Sequence, residues 1–131
     1  MWEAYGLGNE SMLWASMGLR GGIAGQQRAS CGALSSAAVC LGLRHAHPLA
    51  DELQADNAKD KVYSKARELA DAFVDKFGAA ACIDLVGVDF SDEAARKKAN
   101  ESGLIEEKCH NYIRFVIEKL YELDESEHPA V

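Results

Sequence analysis

Arg20-Gly21-Gly22-Ile23-Ala24-Gly25-Gln26-Gln27-Arg28-Ala29-Ser30-Cys31-Gly32-Ala33-Leu34-Ser35-Ser36-Ala37-Ala38-Val39-Cys40-Leu41-Gly42-Leu43 decides the fold. A glycine-rich polar loop runs into a helix of small and apolar residues, and a cysteine stands where the one becomes the other. Ser30 is read as the N-cap, because its hydroxyl can accept from the free N–H groups of a first turn, which makes Cys31 the first helical residue. Gly32, Ala33, Ser35, Ser36, Ala37 and Ala38 let neighbouring backbones come close, and the lack of charge from Gly32 to Leu43 puts the helix inside. The fold class that follows is all-α, a compact helical bundle with this buried small-residue helix at its centre.

Two long amphipathic stripes supply the packing partners. Over Lys59 to Phe77 the apolar residues Val62, Ala66, Leu69, Ala70, Phe73 and Phe77 line one helical face, and Gly78 closes the helix. Lys61, Lys65, Arg67, Glu68, Asp71 and Asp75 are read as its solvated face. Over Leu104 to Leu123 the stripe is Ile105, Cys109, Tyr112, Ile113, Val116, Leu120 and Leu123. Between them, Ala79 to Val86 reads as a short helix stopped by Gly87, and Ser91 to Lys98 as a short polar helix capped by Ser91. Asn9-Glu10-Ser11 opens a helical pattern whose apolar side is Met12, Leu13, Ser16, Met17 and Leu19, with the methionines and Trp14 assigned to the core. Pro48 to Ala58 reads as a polar loop with a partly helical turn, and the acidic tail after Asp124 as frayed. No linker or composition break divides the 131 residues, so residues 1–131 form a single domain.

Composition removes several functions. A formal charge of −7 leaves no basic face for nucleic acid. Gly32 to Leu43, the longest nearly uncharged apolar stretch, is shorter than the about 20 residues that span a bilayer, so no membrane insertion is expected. The N-terminus lacks the basic and apolar regions of a secretory signal, and a cytoplasmic place follows as the expectation. There is no P-loop, no dinucleotide glycine fingerprint, no Cys-x-x-Cys pair, and no His or Asp placed by a motif to serve Ser35 or Ser36.

Chemistry therefore falls to the four cysteines. A thiol at the start of the central helix lies beside unpaired N–H groups and the positive end of the helix dipole, which favour the thiolate that binds metal and attacks disulfides. The other reading of Cys31 is a small buried hydrophobe. Cys40, nine residues on, points the opposite way at about 100° per residue, so the two are not expected to share a metal. Cys109 lies on the buried stripe and reads locally as a core cysteine. His45 and His47 flank an irregular turn before Pro48 and are read as solvent-exposed.

Cys31-Gly32-Ala33-Leu34-Ser35-Ser36, with Gly21-Gly22-Ile23 before it and Leu41-Gly42-Leu43 after it, resembles the C_GCAxxG_C_C family of redox-active proteins, whose pattern includes Cys-Gly-Ala-x-x-Gly. That domain also forms the C-terminal part of split-Soret cytochromes c. Phe77-Gly78-Ala79-Ala80-Ala81-Cys82-Ile83-Asp84-Leu85 and Lys108-Cys109-His110-Asn111-Tyr112 resemble the segments around two further family cysteines. The resemblance covers nearly the whole chain. Ser36 replaces the motif's closing glycine, and the position of the family's first cysteine would fall before Met1.

The resemblance implies that Cys31, Cys82 and Cys109 form one metal site and leaves Cys40 out. Thiolates select iron–sulfur clusters, zinc or copper(I), and the split-Soret relatives imply a 2Fe-2S cluster used for electron transfer. Such a cluster takes four ligands, so a fourth would come from an upstream cysteine, a histidine, a water or a partner chain. The expected partners are a redox partner protein and a second copy of the chain. Two alternatives stand beside this: a thiol–disulfide redox protein cycling Cys31 with Cys82 or Cys109, and a non-enzymatic helical dimerisation module with structural cysteines.

Overall fold

The computed structural model describes residues 1–8 and 10–125, apart from the side chains of Trp2 and Met12. Seven α-helices occupy them: α1 (Trp2–Tyr5), α2 (Ser11–Trp14), α3 (Gly32–Arg44), α4 (Glu52–Phe77), α5 (Cys82–Val86), α6 (Glu93–Glu101) and α7 (Leu104–Glu125), with a 3-10 turn at Met17–Leu19. Among the described residues the only β pairing is an isolated antiparallel bridge between Ser30 and Ala81. The fold is all-α.

α3 lies between α4 and α7 and packs on both. No residue from 31 to 43 is exposed, and Leu34, Ala37, Cys40 and Leu41 are buried outright. Small side chains make this possible. A Cβ at Gly32 would stand 3.0 Å from both the Arg20 Cα and the Leu19 carbonyl oxygen, so the loop crosses the start of α3 at backbone contact.

α4 and α7 close the core with Leu69, Phe73, Tyr112, Val116, Leu120 and Leu123. Phe73 and Leu69 are wholly shielded from water, and each buried side chain of this size stabilises by about 1.5–3 kcal/mol relative to an exposed one. The rings of Phe77 and Tyr112 meet edge to face with centroids 4.8 Å apart.

Several boundaries and faces differ from the sequence-based expectation. α4 begins at Glu52 rather than Lys59, because Asp51 caps it by accepting from the Gln54 N–H at 3.2 Å. That first stretch is mostly exposed and polar, so it carries no stripe to read. Lys65 belongs to the buried side of α4, not the solvated one: its stem is covered and its Nζ donates to the Leu123 carbonyl at the end of α7. α6 is capped by Asp92, which accepts from the Ala95 N–H, while Ser91 bonds Asp89 instead.

Trp14 and Met17 are exposed, not core: Trp14 ends α2, a single turn, and Met17 opens the 3-10 turn and is itself exposed although that turn packs on α3. Ile113 sits at the exposed edge of the α7 stripe, where Phe115 packs against the core instead. Asn9, the Met12 side chain and the tail from 126 onward lie outside the described residues.

Candidate functional site

The two helix starts that carry Cys31 and Cys82 are built as a pair. Ser30 and Ala81 face each other across the bridge, flanked by Cys31 N–H donating to the Ala80 carbonyl at 2.7 Å and Cys82 N–H donating to the Ala29 carbonyl at 3.0 Å. In such a pairing successive side chains alternate faces, so Cys31 and Cys82, each one residue past the bridge, start on the same face. They are diagonal neighbours, a relation that sets residues roughly 7–8 Å apart.

This arrangement corrects the expected cap. α3 begins at Gly32 with Cys31 itself as N-cap, while Ser30 pairs with Ala81 in the bridge and its hydroxyl meets the Ser35 Oγ, 2.6 Å away. Cys31 therefore stands one position earlier than expected, still at the helix start, and is 8% exposed.

The glycine loop supplies the floor under Cys82. Gly21, Gly22, Ile23, Ala24 and Gly25 all have positive φ, from 49° to 78°, and make one left-handed turn. L residues enter that region at a cost of about 1–2 kcal/mol each, so Ile23 and Ala24 hold strain that the surrounding bonds must sustain. Ala24 N–H donates to the Gly18 carbonyl at 2.9 Å and Gly25 N–H to the Arg20 carbonyl at 3.0 Å. Gly22 is where the loop touches the site: a Cβ there would lie 2.9 Å from the Cys82 Cβ, the Ala29 oxygen and the Gln27 Cα.

Gln27 is a functional candidate that the sequence reading did not find. It is 2% exposed, has φ 61°, and its carbonyl accepts from the Ile83 N–H at 3.3 Å in the first turn of α5. Its side-chain Nε2 donates to the Val88 carbonyl at 2.9 Å, and its Oε1 accepts from the Phe90 N–H at 2.7 Å.

Cys109 reaches the group from α7. Lys108 Nζ donates to the Val86 carbonyl at 2.8 Å and Tyr112 hydroxyl to the Leu85 carbonyl at 2.8 Å. These two side chains, four residues apart on one helical face, take up free carbonyls at the end of α5. They hold α7 against α5 with Cys109 between them, and Cys109 is half-buried.

Electrostatics identify the three thiols as neighbours. Burial pushes the Cys82 thiol above the ordinary thiol range, and the charges of Cys31 and Cys109 push it further. Cys109 is raised by burial and then by Cys31, with the Arg20 guanidinium opposing. Tyr112 is raised by burial and by all three cysteines. Cys40 belongs elsewhere: burial raises it, and the charges acting on it are the N-terminal amine and Arg44. It lies in an apolar groove with Met1, Leu7, Ser36, Val39 and Leu43.

His47 and His110 are exposed, and His110 sits 3.9 Å from Glu106. Among the described residues no group of three or more His, Cys, Asp or Glu is arranged to hold a metal ion, so the three thiols are a neighbourhood rather than a closed chelate. No helix is long and apolar enough to cross a membrane.

An all-α bundle with Cys31 and Cys82 at two helix starts and Cys109 in the second turn of α7 is a cysteine-containing helical domain. The chain belongs to the C_GCAxxG_C_C family, described as "putative redox-active protein", whose model matches residues 1–123. No curated protein and no solved structure matches the chain.

Proposed function

We propose that this is an electron-transfer protein whose Cys31, Cys82 and Cys109 thiolates bind a soft metal centre, an iron–sulfur cluster of the 2Fe-2S class. The observation that supports it is the bridge that sets Cys31 and Cys82 on one face at two helix starts, together with the Lys108 and Tyr112 hydrogen bonds that hold the Cys109 segment of α7 on α5. The donor chemistry fits, because thiolates select iron–sulfur clusters and other soft metals. The count is one short of the four ligands such a cluster takes, so the fourth comes from an upstream cysteine, a histidine, a water or a partner chain.

Bound there, a cluster supplies one-electron redox chemistry. The chain's own part is to hold the thiols in place: the Ser30–Ala81 bridge fixes the starts of α3 and α5, Lys108 and Tyr112 clamp α7 onto α5, and Gly22 floors the site. Burial disfavours the charged thiolate, so ligand binding must displace thiol protons, and uptake rises with pH. Electrons then pass to or from a partner protein, and a second copy of the chain can supply the missing donor. Four free thiols suit a reducing compartment, here the cytoplasm.

One observation favours a second reading, the diagonal placement of Cys31 and Cys82 on one face. Their two thiols would reduce a partner's disulfide, forming a Cys31–Cys82 bond while the partner takes both electrons and both protons, a bond that requires the starts of α3 and α5 to draw together.

Anaerobic reconstitution of the reduced chain with iron and sulfide tests the first reading. Visible absorption with bound iron is expected, lost in Cys31→Ala, Cys82→Ala and Cys109→Ala and kept in Cys40→Ala. A colourless, iron-free product with all four thiols reduced overturns it, and a redox-dependent loss of two thiols selects the second reading.

A further inference from the structure

We propose that the outer surface of the loop over Cys31 and Cys82, which carries Leu13, Trp14, Met17, Arg20, Ile23 and Arg28, docks an acidic one-electron carrier protein. The inference deepens the electron-transfer reading by naming the class of partner, and rests on that reading for the partner's redox character.

The segment is folded back on itself by main-chain bonds. Leu19 N–H donates to the Ser16 carbonyl at 3.0 Å, Ala24 N–H to the Gly18 carbonyl at 2.9 Å and Gln27 N–H to the Gly21 carbonyl at 2.9 Å. Its inner side lies on the site: Gly22 meets Cys82, and the Leu19–Arg20 backbone crosses Gly32, the residue after Cys31. Its outer side is left bare. Trp14 is 70% exposed, Met17 53%, Ile23 46% and Leu13 40%, and Arg20 and Arg28 are exposed as well.

Charge selects the partner. None of the 21 acidic residues lies between Ser11 and Ala50, a segment that holds Arg20, Arg28 and Arg44 and no lysine. It carries +3 of a total of −7, which leaves −10 on the rest of the chain. Arg44 is committed to Asp124, and the Asp89 carboxylate on which Arg28 acts already accepts from the Ser91 N–H and hydroxyl. Protein interfaces are rich in Trp, Met and Arg and poor in Asp, Glu and Lys at their centres, which is the makeup of this surface. An acidic protein is repelled by the remainder of the chain and steered here. A second copy of the chain fits less well, because symmetric pairing through this surface sets Arg20 and Arg28 against their own counterparts.

Ile23 gives an independent sign. A β-branched residue at φ 67° is strained, and with its side chain nearly half exposed the fold gains little burial in return. Such strain clusters where a protein meets its ligands, and a partner covering Ile23 supplies the missing burial.

The test titrates the reduced, metal-free, nitrogen-15-labelled full chain with a plant-type ferredoxin, an acidic one-electron carrier, at low salt. The Trp14 indole and the Arg20, Ile23 and Arg28 amide signals are expected to move, and added salt to reverse the change. Arg20→Glu with Arg28→Glu, and separately Trp14→Ala, should each weaken binding at least about tenfold. Lys59→Glu with Lys61→Glu, the same change of net charge placed on α4, should leave it unaltered. No binding, movement confined to other signals, or equal loss in both double variants overturns the proposal, and so does self-association through these signals without ferredoxin, which assigns the surface to a second copy. No metal is present in the titration, so its failure is distinct from failure of the reconstitution that tests the electron-transfer reading.

Discussion

Gly22→Ala should destabilise the protein far more than Gly25→Ala, although both replace a left-handed glycine two residues or less from the strained Ile23–Ala24 pair. The shared part of the effect is conformational. Gly22 has φ 65° and Gly25 φ 78°, and an L residue held there costs about 1–2 kcal/mol. The difference lies in what the new methyl meets. At Gly25 nothing stands within 4 Å, whereas at Gly22 the Cβ would lie 2.9 Å from the Ala29 oxygen, the Cys82 Cβ and the Gln27 Cα.

None of those three atoms is the free end of a flexible chain. Relief needs backbone movement, and overpacking of that kind costs a further about 1–3 kcal/mol. Gly22→Ala is thus expected to lose about 2–5 kcal/mol, against about 1–2 for Gly25→Ala. Urea unfolding followed by far-UV circular dichroism gives both values, with the slope checked to be unchanged. Equal losses in the two variants would refute the reasoning, because they would show that the loop does not press on Cys82.

Two further predictions follow from the core and its rim. Phe73→Ala should cost about 3–5 kcal/mol by urea unfolding, since the ring is wholly enclosed and meets Phe77, Tyr112 and Phe115, whose positions cannot all collapse into the void. The Tyr5 hydroxyl, which donates to the Leu120 carbonyl at 3.0 Å, is pushed up to about 12 by burial and then by Asp124. Its folded value exceeds the unfolded one of about 10, so its contribution is whole below pH 10 and is lost as pH rises towards 12. The fall in urea midpoint over that window should be smaller in Tyr5→Phe.

What the sequence makes legible is whatever repeats along a helix. The α4 and α7 stripes, the Gly78 and Gly87 stops and the uncharged α3 are local patterns, and each stands where its pattern puts it. Lys65 shows the limit: its position four residues before Leu69 is on the buried face by spacing, but a charged residue there reads as solvent-facing unless the Leu123 carbonyl it satisfies is known. Trp14 and Met17 show the converse, since apolar type alone cannot say that side chains on a one-turn helix and at the start of a three-residue 3-10 turn are left exposed.

From local pattern the candidate site was legible only at Cys31, where loop, small residues and helix start coincide in one stretch; Cys82 and Cys109 entered through the family resemblance. Cys82 joins it through hydrogen bonds between residues about fifty positions apart, and such pairings leave no periodicity in either segment. Gln27 is harder still, for a glutamine in a Gly-Ala-Gln tract has the composition of a surface loop. Its burial follows from Gly22, which lets the left-handed turn lie on Cys82, and from the Val88 and Phe90 backbone groups that close over its amide. The thiol neighbourhood is therefore positioned mainly by main-chain atoms. Any residue type carries the main-chain atoms that place Cys31 and Cys82, whereas Cys109 depends on the Lys108 and Tyr112 side chains, so the substitutions that disturb the first two sulfurs most should be those that move backbone, at Gly22 above all.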